Sequence, residues 1–207
     1  MSNLKIITFD LYGTLVDWKS AIGNALNIIK PGMEDEFFNI EYKNVSNLEN
    51  FEKYSEILKK SLKKLLKDKK IEYDDDYGEM LVRMFSKSPF FADSVLGLMK
   101  LKRKFSIGII SNTERDLINI TLAGMEDLFD YIVTAEDTKF YKPNEMAFIE
   151  ALKIMDVKKD EILHISSYPA YDLETAKKLG IRNMHLNRYG YSWESEIKRV
   201  DEILKIL

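Results

Sequence analysis

The sequence predicts an α/β protein built on an open parallel sheet, and three observations carry that prediction. An apolar run, Ile6-Ile7-Thr8-Phe9, delivers Asp10 into the turn Leu11-Tyr12-Gly13-Thr14. Two later runs, Ile107 to Asn112 and Ile162 to Ser167, share the design: apolar residues, then small hydroxyl or amide residues. Strands apolar on both faces belong to sheets covered by helices on each side. In such sheets ligands bind in the crevice beyond the carboxyl ends of the strands, so function is expected at the ends of these runs.

Residues 4 to 9 read as the first strand. From Trp18 to about Asp93 no comparable run occurs, and apolar residues recur at helical spacing. The clearest helix is Phe51 to Lys67, with Ile57, Leu58, Ser61, Leu62, Leu65 and Leu66 on one face and Lys59, Lys60, Lys63, Lys64 and Lys67 on the other. A lysine face of this kind suits a membrane surface or an acidic partner. The preferred reading is a solvated face opposite a packed one, because Asp74-Asp75-Asp76 follows closely. Pro31-Gly32 marks a turn, Glu79 to Phe85 a short helix, and Ser88-Pro89 closes the segment.

Helix and strand then alternate. Ser94 to Lys104 reads as a helix and Phe105 to Ile110 as a strand; Glu114 to Ala123 is a helix stopped by Gly124, and Tyr131 to Thr134 a short strand. Asn144 to Met155 is helical, with Pro143 placed to favour its start. Ile162 to Ile165 is a strand, Asp172 to Leu179 a helix stopped by Gly180, Asn183 to Leu186 a last strand and Glu194 to Leu207 a closing helix. The order is strand, helical insertion, then repeated helix and strand, joined by right-handed crossovers.

At 207 residues and 45% hydrophobic composition, the chain accommodates one domain with a large insertion or two small domains. A net charge of -3 supplies no global attraction to nucleic acid. The absence of cysteine excludes disulfides, thiolate metal sites and a cysteine nucleophile, and suits a reducing cytoplasm. No apolar stretch reaches the roughly 18 to 20 residues that span a bilayer, and an acid and a glycine turn interrupt the first run too early for a signal peptide. A cytoplasmic protein without membrane or nucleic-acid partners is expected. His164 and His185 fall inside strands without a third ligand at metal spacing, which argues for core histidines over a zinc site.

Phe9-Asp10-Leu11-Tyr12-Gly13-Thr14-Leu15 resembles the first motif of the haloacid dehalogenase superfamily, and three further elements follow in that family's order: Ser111-Asn112 after a strand, Lys142-Pro143 before a helix, and Ser166 to Asp172 after a strand. The resemblance covers essentially the whole chain. It implies a Rossmann-like core, residues 1–17 and 94–207, with a mobile helical cap, residues 18–93. It also implies that Asp10 is a nucleophile, a role that suits a carboxylate because its ester is later opened by water. Lys142 matches the lysine beside the nucleophile, where an ammonium keeps neighbouring carboxylates ionised. Thr14 and Ser111 match positions that hydrogen-bond the nucleophile or the substrate carboxylate, Asn112 adds an amide, and Asp172 is expected to act on the hydrolytic water.

Tyr12 points to a subclass. The superfamily's phosphatases usually carry a second aspartate there, and a phenol with a pKa of about 10 is a poor substitute acid. Five positions before Asp172, where a phosphatase would place a metal-binding acid, stands Ser167. With two acids missing, only Asp10 and Asp172 remain for Mg²⁺, which needs hard oxygen ligands. A metal-free site without cofactor is favoured, and the sequence looks most like the L-2-haloacid dehalogenase branch. Asp10 would then displace halide from carbon, with Tyr12, Asn112 and Ser167 among the substrate-binding groups. The family resemblance also implies a homodimer.

Three departures accompany the resemblance. The cap stretch Phe37-Phe38-Asn39-Ile40-Glu41-Tyr42-Lys43 contains no arginine, the residue that usually receives the halide; Tyr42 lies nearest by rough alignment, and Lys43 is the available cation. Phe148 stands where the family has a tyrosine, and Ser166-Ser167-Tyr168-Pro169 carries an extra residue before Asp172. The alternatives are an Mg²⁺-dependent phosphatase of a small metabolite, with Asp10 and Asp172 holding the ion, and a catalytically silent binding protein of the same fold.

Overall fold

Six parallel strands form one sheet in the computed structural model, which describes residues 4–207. They are β1 (Ile6–Phe9), β2 (Ser106–Ser111), β3 (Tyr131–Thr134), β4 (Ile162–Ser166), β5 (Arg182–Leu186) and β6 (Glu196–Ile197), in the order β3-β2-β1-β4-β5-β6. The first strand is central. Its Phe9 is registered with Ile109 of β2 on one side and Ile165 of β4 on the other. Strand order therefore reverses at β1, and the residues that follow β1, β2 and β4 open into one crevice at that switch point.

Between β1 and β2 the chain makes α1 (Trp18–Ile29), α2 (Glu34–Ser46), α3 (Tyr54–Asp68) and α4 (Asp75–Ser86), followed by α5 (Ser94–Lys102). In α3 the buried residues Ile57, Leu58, Ser61, Leu62, Leu65 and Leu66 form the expected stripe. The opposite lysines make surface pairs, such as Lys59 with Glu79 at 2.7 Å and Lys64 with Asp68 at 3.1 Å. A buried leucine contributes roughly 1.5–3 kcal/mol and an exposed ion pair roughly 0–1 kcal/mol, so the packed face holds this helix. The two connections to α1–α4 run side by side, with Asp17 N donating to Pro89 O at 2.8 Å and Phe91 N to Leu15 O at 2.9 Å.

The remaining helices are α6 (Arg115–Leu122), α7 (Ala135–Thr138), α8 (Glu145–Met155), α9 (Glu174–Lys178) and α10 (Ile203–Ile206). The larger core joins the sheet to α1–α6. A smaller one, with Ile110, Val133, Phe148, Ala151 and Ile162, lies beneath α8 and α9. The architecture is an α/β parallel sheet with an inserted helical cap. No helix among the described residues is long and apolar enough to cross a membrane.

Three local expectations need correction. Glu194 to Leu207 is not one helix: β6 extends the sheet, His185 N and Asn187 N donate to the Ser195 and Ile197 carbonyls, and only Ile203–Ile206 is α-helical. The buried Ile197, Val200 and Ile203 recur every third residue, which imitates a helical period. Pro143 does not open α8; Asn144 caps it, its Oδ1 accepting from Met146 N at 2.9 Å. Pro169–Leu173 forms one π-helical turn before α9, closed by Glu174 N donating to Pro169 O. A π turn accommodates one residue more than an α turn, and here it absorbs the extra residue seen before Asp172.

Candidate active site

The site is built from the strand ends upward. Asp10 follows β1, and its backbone N–H donates to Ile165 O at 2.9 Å, so its position is an extension of the sheet ladder. Gly13, at φ +91°, turns the chain back, and Thr14 Oγ1 donates to Asp10 Oδ2 at 2.8 Å. A side chain at Gly13 has no room: an added Cβ would lie 2.2 Å from the Tyr168 hydroxyl. Arg188 braces the same loop, donating from Nε to Thr14 O at 3.1 Å while its guanidinium forks onto Asp93 at 2.8 and 3.2 Å.

Lys142 is 1% exposed, and its Nζ lies 2.9 Å from Asp10 Oδ1, 2.6 Å from Asp172 Oδ1 and 2.8 Å from Ile110 O. All three ammonium hydrogens are thereby engaged. Asn112 sets this lysine in place from its backbone: Nδ2 donates to Lys142 O at 2.8 Å and Oδ1 accepts from Lys142 N at 2.7 Å. Asp172 also accepts from Ser166 Oγ at 2.7 Å, and His164 Nε2 lies 3.4 Å from its Oδ1.

These contacts drive the two carboxyls apart. Burial opposes the charge of Asp172, but Lys142 and His164 overcome it and hold the group at about 2. In Asp10 burial prevails, with Asp172 reinforcing it and Lys142 and Thr14 opposing, and its pKa is raised. Burial lowers the pKa of Lys142, and its two carboxylate neighbours more than restore it, so the ammonium stays charged. The constellation thus pairs one firmly ionised acid with one whose ionisation depends on the lysine.

A cavity of about 40 Å³ opens over Asp10, with Lys142, Asp172, Ser111, Asn112 and Tyr12 from the core side and Trp18, Glu41, Tyr54, Tyr168 and Tyr171 around them. Ser111 Oγ is buried without a hydrogen-bond partner among the described residues. A larger cavity of about 310 Å³ adjoins it and shares Trp18, Glu41, Tyr168 and Tyr171.

The structure brings Asp10, Thr14, Ser111, Asn112, Lys142, Asp172 and Tyr12 together. Tyr12 is spent on packing: its ring stacks on Phe85 at 4.2 Å and its hydroxyl meets Thr121 Oγ1 at 2.7 Å. The amide of Asn112 is occupied by the Lys142 backbone, which makes it a positioning group. Ser167 does not line the cavity; its hydroxyl donates to Leu186 O at 2.5 Å and its backbone N–H to Thr14 Oγ1 at 3.0 Å. Tyr42 lines the adjoining cavity, packed edge-on against Tyr171, and Lys43 borders neither, lying beside Glu36 of α2 and Asp68 of α3 in a separate surface groove. Both miss the reacting cavity for one reason: the buried face of α2 is Phe37, Glu41 and Val45, and that periodicity selects Glu41 instead.

Sequence reasoning missed Glu41, Trp18, Tyr54 and Tyr171 as wall residues and His164 as a neighbour of Asp172. The position of Glu41 between Phe37 and Val45 at helical spacing was the available signal. Phe148 fills its site with packing, meeting the His164 ring edge-on at 4.9 Å.

The donor set is poor for a divalent cation. Asp10 and Asp172 already share one ammonium, Ser167 turns away, and the described residues hold no cluster of three His, Cys, Asp or Glu side chains suited to a metal.

Comparison with known proteins bears on the family and the fold. Residues 7–185 match the model of the haloacid dehalogenase-like hydrolases. An (S)-2-haloacid dehalogenase of Pseudomonas putida is 30% identical over 201 residues, covering 91% of this chain and 86% of that protein. Haloacetate dehalogenase H-2 of Moraxella is 24% identical over 204 residues, covering 94% and 90%. The structure of L-2-haloacid dehalogenase from Xanthobacter autotrophicus with chloropropionic acid covalently bound superposes with a TM-score of 0.84 at 16% identity, covering 98% of each chain. This chain belongs to the haloacid dehalogenase-like hydrolase family.

Proposed function

We propose that the protein is a metal-independent 2-haloacid dehalogenase in which Asp10 is the nucleophile. The observation that carries the reading is the buried Asp10–Lys142–Asp172 constellation beneath a small cavity, with the Ser111 hydroxyl free on the same floor. The Asp10 carboxylate attacks the carbon that bears halogen, the carbon–halogen bond breaks with its electron pair leaving on the halide, and an aspartyl ester forms. Ser111 receives the substrate carboxylate. Water then opens the ester, restoring Asp10 and releasing the 2-hydroxy acid and a proton. An acid held at about 2 is a weak base, so Asp172 orients water and fixes Lys142.

Residues 18–93 act as the cap over a core of residues 1–17, of which 1–3 lie outside the described residues, and 94–207, excluding bulk water from the displacement. A halide departs without a proton, which suits a site whose Tyr12 hydroxyl is turned away to Thr121. The cysteine-free composition suits a cytoplasmic enzyme.

The test compares halide release from short 2-haloacids with phosphate release from a phosphoester panel, each with and without Mg²⁺. The expected result is metal-independent halide release that Asp10→Asn lowers by at least about a thousandfold. Mg²⁺-dependent phosphate release without halide release overturns the reading.

A further inference from the structure

One buried acid in the cavity has no part in the chemistry above. Glu41, on α2, is 5% exposed and borders the space over Asp10. No lysine or arginine among the described residues forms an ion pair with it. Its carboxyl accepts from Tyr54 Oη at 2.9 Å on Oε1 and from Tyr171 Oη at 3.4 Å on Oε2.

Its location is specific in terms of the reaction. In-line displacement sends the leaving group away from the attacking oxygen. Asp10 lies on the sheet side of the cavity, so the halide leaves toward the wall that Trp18, Glu41 and Tyr54 contribute from α1, α2 and α3. A carboxylate there would repel both halide and substrate, in a site where Asp10, Asp172 and Lys142 already sum to one negative charge. A carboxylic acid there would be a hydrogen-bond donor.

Resting on the dehalogenase reading, we infer that Glu41 serves in its protonated form as a hydrogen-bond donor to the departing halide, and that the site is specialised for fluoride, the halide that accepts hydrogen bonds most strongly. As the Asp10 oxygen bonds to carbon and the carbon–fluorine bond breaks, the electron pair leaves on fluoride, which Glu41 O–H solvates while keeping its proton. The water that opens the ester supplies the proton released to solvent, so the overall reaction balances without a further reactant. Bromide, large and weakly hydrogen-bonded, leaves with little help from such a donor.

The surroundings support the neutral form. Burial pushes Glu41 up to about 7, opposed by Tyr54, Tyr171 and the field of Lys19 on α1. The other titratable groups lining this cavity are Asp10, Tyr12, Lys142, Tyr168 and Asp172, and Lys19, Tyr42, Glu174 and Tyr191 line the adjoining cavity that Glu41 also borders.

The experiment measures kcat/KM for fluoroacetate and bromoacetate, as released halide, across pH 5.5–9 (about) in the wild type, Glu41→Gln and Glu41→Ala, with thermal melting to establish folding. Glutamine retains a neutral donor without a titrating proton. The expected result is a wild-type fluoride activity that falls above about pH 7, loss of that alkaline limb in Glu41→Gln, and a fluoride-to-bromide ratio roughly tenfold or more lower in Glu41→Ala than in Glu41→Gln. An unchanged ratio in Glu41→Ala, or an alkaline limb that persists in Glu41→Gln, overturns the inference while leaving the dehalogenase reading intact. Bromide release by the wild type without fluoride release does the same. Absence of both halides from the wild type overturns the two together.

Discussion

Replacing Lys142 with methionine tests the electrostatic design of the site most directly. Methionine preserves an unbranched apolar stem and removes the ammonium, leaving Asp10 and Asp172 buried beside one another without their shared cation. Breaking a buried ion pair from one side costs about 3–5 kcal/mol. The wild-type value of Asp172 gives a partial check: a carboxyl moved from 3.8 to about 2 contributes roughly 2 kcal/mol of stability. That contribution is present above about pH 4 and is lost as pH falls through about 2, because the folded-state pKa lies below the unfolded one. Asp10, whose pKa is raised, contributes with the opposite sign and favours the folded state on acidification. In Lys142→Met both acids face burial and mutual repulsion without relief, so the variant is most destabilised at neutral pH and recovers as they take up protons. Calorimetry at pH 7 and pH 4 should therefore show a Tm deficit on the order of 10 °C at pH 7 that narrows at pH 4. A deficit that stays the same at both pH values refutes the electrostatic account and assigns the loss to packing.

Other expectations follow from single contacts. Because the pKa of Asp10 is raised, the acid limb of kcat/KM should lie above the usual aspartate value of about 3.9, and a limb at or below it contradicts the raised Asp10 carboxyl. Ser166→Ala removes the donor to Asp172 Oδ2 and the acceptor for Tyr168 N; a loss of about 1–3 kcal/mol in denaturant unfolding is expected with lowered kcat. Gly13→Ala places a Cβ against the Tyr168 hydroxyl at φ +91°, so it should lose about 1 kcal/mol or more and lower turnover, and full activity would show that the loop yields. Asn112→Ala should reduce kcat more than it raises KM, because its amide holds Lys142 and not substrate; the reverse split makes it a binding group.

Much of this molecule is legible in its sequence because short-range chemistry dictates it. The three apolar runs ending in Asp10, Ser111 and Ser166 become adjacent strands, since strands apolar on both faces are stable only inside a covered parallel sheet. The stripe of α3 follows from its period, and the turn after Asp10 from the glycine in Leu11-Tyr12-Gly13-Thr14. Where period alone was informative, over residues 194–207, it misled, because every third residue is buried there through strand pairing and a docked turn.

The sequence by itself determined which groups stand at the strand ends, and with them the family and the acid–lysine–acid set. The tertiary structure alone decided which cap residue faces that set and what each amide and hydroxyl spends its hydrogen bonds on. Adjacent positions on a helix point about 100° apart, so the distinction between Glu41 inside and Tyr42 or Lys43 outside depends on how α2 is rotated against the sheet. Asn112, Ser167 and Tyr12 were placed near the site by their order in the chain, but their partners, Lys142, Leu186 and Thr121, are remote in sequence and come within reach only when the layers pack.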